Sequence, residues 1–117
     1  MPHFFIDCSD TVLTTHREES IIEAVHIVAN QSGLFDENDI KVRLNPFQQY
    51  RVGNKKQDFI HVFANIMEGR SQEQKAALSN AIVTKLTAMF PKFEFIAMNV
   101  RDFEKATYYN REMLAGC

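Results

Sequence analysis

Residues 59–74 read FIHVFANIMEGRSQEQ, and two periodicities meet inside them. From about Asp58 to Met67 the side chains alternate, with Ile60, Val62, Ala64 and Ile66 on one side and Phe59, His61, Phe63 and Asn65 on the other. Period two is the pattern of a strand. Glu68-Gly69-Arg70 breaks it, and Ser71 followed by Gln74 has the form of a capping box, whose two side chains satisfy free amides at a helix start. Ala77, Leu78, Ala81, Ile82, Leu86 and Met89 then recur at helical spacing until Phe90-Pro91. A further strand-forming run, Glu94 to Arg101, completes a strand-helix-strand unit.

Toward the N-terminus the same order recurs. Phe4 to Cys8 are strand formers, and Pro2 just before them is tolerated because a strand's first residue can lack a backbone donor. Thr15-His16-Arg17-Glu18 has the form of another capping box, and Ile21, Ala24, Val25 and Val28 predict a helix over 17–32, closed by Gly33. From Ile40, the apolar Ile40, Val42 and Leu44 alternate with Lys41, Arg43 and Asn45. Asn45-Pro46 interrupts this strand, which leaves 47–52 as an edge or a bulged continuation before the Gly53-Asn54 turn. The tail from Asp102 carries Tyr108, Tyr109 and Leu114 without periodicity.

The predicted fold is α+β, or α/β counted by units: two strand-helix-strand crossovers in one four-stranded sheet, with both helices on one face. The halves show no convincing identity, so the repeat is one of architecture. A sheet whose strands are this apolar needs cover on its second face, which argues for self-association through the sheet.

The 117 residues suit one domain, expected to span 1–117. Thirteen basic against fifteen acidic residues, with Lys55-Lys56 the one basic pair of note, argue against nucleic acid as a partner. No apolar run approaches the roughly 18 residues of a membrane span and no signal-peptide pattern opens the sequence, so a cytoplasmic, reducing address is expected. There Cys8 and Cys117 stay thiols.

Few residues invite chemistry. Once Met1 is removed, Pro2 would present a secondary amine; model α-amino groups titrate near ~7.7 to 8.0, and nearby cations or an apolar pocket lower that value. On position alone, Pro2 reads first as a plain strand starter. Arg70 precedes a helix start, where amides and dipole favour anions and a guanidinium fork suits a carboxylate. Lys41 and Arg43 share one strand face and would hold an anion between them, or simply be a solvated surface. His61, His3, His16 and His26 form no metal pattern. Ser9, Asp10 and His16 lack the strand-turn-helix elbow of a hydrolase.

Met1-Pro2-His3-Phe4 with Cys8-Ser9-Asp10, Ile40-Lys41-Val42-Arg43, Phe59-Ile60-His61-Val62, Gly69-Arg70-Ser71 and the tail around Asn110 resemble the 5-carboxymethyl-2-hydroxymuconate isomerase family of the tautomerase superfamily. The resemblance implies a homotrimer or a multiple of it, with an amino-terminal proline as acid/base. It implies a proton moved between an enol hydroxyl and carbon of a small unsaturated carboxylate, without cofactor or metal. Carried over by position, the base is Pro2 and the substrate-binding cations are Arg70, Lys41 and Arg43. The family has arginine at both strand positions, and Lys41 departs from it. Lysine keeps the charge but loses the fork, which bears on the substrate more than on the reaction type. It leaves open a related enzyme for another small 2-keto, 2-hydroxy or unsaturated acid. A non-enzymatic binding module of the same fold is the remaining alternative.

Overall fold

Alternation along the strands decides which side chains meet the helices. In the computed structural model, which describes residues 1–115, β1 (His3–Ser9) buries Phe4, Ile6 and Cys8 completely while His3, Phe5 and Asp7 stay half-buried on the other side. The same rule sorts β3 (Phe59–Met67), whose Ile60, Val62, Ala64 and Ile66 are buried. β2 (Lys41–Phe47) and β4 (Phe95–Phe103) flank these, giving the order β2-β1-β3-β4. β1 runs parallel to β2, β3 parallel to β4, and the central pair β1 and β3 is antiparallel.

Both long helices cover the same face. α1 (Glu18–Gln31) supplies Ile21, Val25 and Ala29, and α2 (Gln72–Met89) supplies Leu78, Ile82 and Leu86, to one core with the even-numbered residues of β1 and β3. Burying each large aliphatic of this set contributes on the order of 1.5–3 kcal/mol. Among the described residues no helix is long and apolar enough to cross a membrane.

The capping box of α2 forms as the sequence predicts: Ser71 Oγ accepts from the Gln74 amide at 3.1 Å and Gln74 Oε1 from the Ser71 amide at 2.9 Å. The one expected for α1 does not form. Arg17 is its N-cap, without a side-chain bond, and the Thr15 hydroxyl pairs with His16 Nδ1 instead. Thr15 closes a 3-10 turn over Asp10–Thr14 as its C-cap, and the helix takes its N-cap two residues later. Pro46 does not end its strand either. β2 is an edge strand, paired only with β1, so a missing donor on its outer side costs no ladder bond. Residues 48–51 leave the sheet, and a bridge from Val52 to Lys55 closes the turn at Gly53-Asn54, where both residues adopt positive φ.

β4 continues to Phe103, two residues beyond the expected end. The tail holds a 3-10 turn over Lys105–Thr107 and a short helix, α3 (Arg111–Ala115). Cys8 is buried and free, and burial pushes its thiol up to about 12, which makes it a core side chain and no nucleophile. Cys117 lies outside the described residues.

The second face of the sheet is uncovered in the single chain. Phe47, Phe63 and Phe95 are 37%, 39% and 41% exposed there, well above the core on the helix side.

Candidate active site

Where β1 and β2 begin, β3 and β4 end, and the connections there converge on Pro2. Its side chain is fully buried, and its carbonyl accepts from the Lys41 amide at 3.1 Å, which ties the start of β1 to the start of β2. A cavity of about 160 Å³ opens beside it, lined by Met1, Pro2, Phe35, Asp36, Asp39, Met67 and Arg70. Pro2 and Arg70, 68 positions apart in sequence, thus face one space.

Arg70 arrives there because Gly69, at φ +123°, turns the chain between β3 and α2 in a conformation that side chains rarely adopt. Its guanidinium donates to the carbonyls of Leu34 at 2.6 Å and Met67 at 3.2 Å and stacks over Phe35, 5.2 Å from the ring centroid. Arginine has five N–H donors, so these bonds orient the fork and leave donors for a ligand. The amides at the α2 start are partly taken by the capping box, which leaves the Arg70 guanidinium as the positive charge of that corner.

Lys41 lies at the cavity's edge, its Nζ donating to the Asp39 carbonyl at 2.8 Å. Arg43 is placed elsewhere. It lies over the Phe5 ring at 4.3 Å and bonds His3 Nδ1 at 2.9 Å on the open face of the sheet, outside the cavity. Strand alternation puts Lys41 and Arg43 on the same face, as the sequence predicts, but only Lys41 reaches round to the Pro2 end.

The carboxylates of Asp36 and Asp39, and the part Tyr108 plays here, are features the sequence pattern did not single out. Asp36 caps the 3-10 turn Glu37–Asp39 through the Asn38 amide, and Asp39 lies with its carboxylate 3.7 Å and its carbonyl 3.2 Å from the terminal nitrogen of Met1. Burial lowers the pKa of that ammonium from its ordinary value; Asp39 opposes the shift, and Lys41 and Arg70 add to it. Tyr108 reaches the same end, its hydroxyl against the Met1 sulfur and near Asn110 Nδ2, and its ring stacked on Phe103. The tail is clamped there because the Lys105 amide donates to Glu68 Oε2 and the Glu68 amide to the Phe103 carbonyl. No signal short of the fold marks Tyr108. Among the described residues, no group of three His, Cys, Asp or Glu is placed to hold a metal ion.

Paired strand-helix-strand units in one mixed sheet define the class of fold, and solved structures share it. The chain superposes on a fused 4-OT wild-type asymmetric trimer with a TM-score of 0.79 at 13% identity, covering 93% of this chain and 92% of that one. A member of the cis-3-chloroacrylic acid dehalogenase family gives 0.77 at 13% identity, covering 93% and 80%. A 5-carboxymethyl-2-hydroxymuconate isomerase from Deinococcus radiodurans gives 0.79 at 20% identity, covering 94% and 88%. No curated protein matches the chain. The family model described as 5-carboxymethyl-2-hydroxymuconate isomerase matches residues 2–114, and the chain belongs to that family of isomerases.

Proposed function

We propose that the chain, with Met1 removed, catalyses keto-enol tautomerisation of a small unsaturated carboxylate, with Pro2 as the base. The observation that carries this reading is the shared cavity of Pro2 and Arg70. With Met1 attached, the Pro2 nitrogen is an amide without a basic lone pair; removal turns it into a secondary amine in a partly desolvated, cation-flanked place. The neutral amine takes the proton of an enol hydroxyl and the resulting ammonium returns one to carbon, so that a double bond moves and no oxidant or cofactor enters. Arg70 holds a carboxylate, and Lys41 stabilises charge developing on the enolate oxygen.

The chain acts as one domain and, in this reading, as a homotrimer or a multiple of it in the cytoplasm, serving the breakdown of aromatic compounds. Half-exposed Phe47, Phe63 and Phe95 support burial of the open face against other copies. Assembly also gives Arg43 a role, because a residue on that face can enter a site only at a boundary between copies. A second reading, an isomerase of another small 2-keto, 2-hydroxy or unsaturated acid, is favoured by Lys41 and by the carboxylates of Asp36 and Asp39, which repel a second substrate carboxylate from the cavity wall.

The test is ketonisation of a 2-hydroxymuconate-type dienol by protein whose intact mass lacks Met1. Turnover well above buffer supports the proposal, and faster turnover of a monocarboxylated dienol supports the second reading. Rates equal to buffer with both overturn the two together.

A further inference from the structure

We infer that Asp39 sets the protonation of the Pro2 amine, its carbonyl oxygen serving as the amine's hydrogen-bond acceptor and its carboxylate as the counter-charge that favours the ammonium form. The inference rests on the reading of Pro2 as a free amine and adds a positioning residue to that site.

The ladder geometry supplies the placement. Parallel pairs exchange evenly spaced bonds, and the Lys41 amide donates to the Pro2 carbonyl at 3.1 Å. Continued one step beyond the paired residues of β1 and β2, into the 3-10 turn that ends at Asp39, that spacing directs the nitrogen of Pro2 toward the carbonyl of Asp39, two residues before Lys41. A peptide-bonded proline has no proton for this bond. A free amine has, and its acceptor is already in place, since the terminal ammonium of Met1 takes the same oxygen at 3.2 Å. The Asp39 carboxylate lies 3.7 Å from that ammonium, while Lys41 Nζ holds the carbonyl from its other side at 2.8 Å.

The charged and titratable groups around this point come from every neighbouring element. The turn before β2 brings Asp36 and Asp39, β2 brings Lys41, and the turn before α2 brings Arg70. β1 contributes His3 and the tail contributes Tyr108. On the terminal ammonium of Met1, burial, Lys41 and Arg70 favour the neutral form and Asp39 acts directly against them; once Met1 is removed, the amine of Pro2 meets the same charges. A base that must be neutral to accept and protonated to return a proton works best when these influences balance near the working pH. Asp39 is the residue that keeps the balance from falling too far toward a weak base.

Asp39→Asn keeps the backbone carbonyl and the side-chain shape and removes the charge. The amine pKa should then fall by about one unit, and on the acid side of the pH profile kcat/KM should rise about tenfold, because a unit of pKa is a tenfold change in neutral amine. Asp39→Glu, which keeps the charge, should leave both near wild type. The experiment titrates 15N-proline-labelled, Met1-free protein by NMR and measures kcat/KM against pH for the same samples. A Pro2 midpoint that falls in Asp39→Asn and stays in Asp39→Glu supports the inference. A midpoint unchanged in Asp39→Asn overturns it and leaves the Pro2 mechanism standing. A midpoint that falls while the rate profile stays fixed supports the hold of Asp39 on the amine and removes Pro2 as the base.

Discussion

The two ends of the sheet are built from the same strands and differ in every property that matters to chemistry. Where β3 and β4 begin and β1 and β2 stop, a cavity of about 590 Å³ lies among Phe47, Tyr50, Phe59 and Phe95. Three of its polar groups are engaged by neighbours: His61 by Asn99 at 2.6 Å, Arg51 by the Asn54 carbonyl at 3.2 Å, Glu94 by Gln57 at 3.3 Å. Where β1 and β2 begin, the cavity is about 160 Å³, yet it gathers Pro2, Arg70, Asp36 and Asp39, with Lys41 at its edge. The large hollow adjoins the half-exposed Phe47 and Phe95 of the open face, the surface that the proposed assembly would cover with a second copy of the chain. The small one holds groups whose protonation and charge can act on a ligand. On the proposed reading, the converging charges mark the reactive end.

If the small end is the reactive one, Pro2→Ala gives the largest effect. A primary amine at the same place is a poorer base with a freer backbone, and kcat/KM should fall roughly 100-fold, within the usual reach of a proton-transfer group. Steady-state kinetics on folded, Met1-free variant check this, and an unchanged rate would break the comparison. Arg70→Ala should lower kcat/KM for carboxylated substrates about tenfold and leave uncarboxylated enols much less affected. It also strips donors from the Leu34 and Met67 carbonyls, so a stability loss of about 1–3 kcal/mol by urea unfolding accompanies it. Equal losses on both substrate types would make Arg70 a brace for the fold alone.

At the large end, Phe95→Asp should leave the protomer folded and change its company. Light scattering should report about 13.5 kDa for the variant against about three times that mass, or a multiple, for the parent chain. A parent that is monomeric at micromolar concentration would remove the reading of that end as an interface. The smallest effect belongs to His3. Burial, then Arg43, then Lys41 hold its imidazole below the ordinary 6.5. The unfolded chain therefore takes the proton first as pH falls, and the stability tied to neutral His3 is full above that value and lost below it. Between pH 7.5 and 5.5 the urea midpoint of the parent should drop more than that of His3→Gln; parallel curves would show that Arg43 does not need the neutral ring.

The sequence carried most of the frame, since alternation and helical spacing are local. The four strands, both long helices, the Ser71-Gln74 cap and the Gly53-Asn54 turn were legible for that reason. Thr15 misled because it closes the 3-10 turn preceding α1, which no short motif announces, and Arg17 takes the cap. Pro46 reads as a break until β2 is known to be an edge. In the site, Pro2 and the cations stood out by type and by resemblance, while Asp39 and Tyr108 did not. Their meaning lies in parallel register and in the clamp from Glu68 to the tail, both long-range facts. The same register separates Arg43 from the cavity.

In the proposed mechanism a free Pro2 amine at the small end does the chemistry, and removal of Met1 is what creates that amine. Protein fractions with and without Met1, assigned by intact mass, are assayed side by side for ketonisation of a carboxylated dienol. Turnover should rise in proportion to the fraction lacking Met1, and the fully Met1-bearing protein should fall to the buffer rate. Full activity in protein that retains Met1 would contradict it, because the Pro2 nitrogen would then be an amide throughout the reaction.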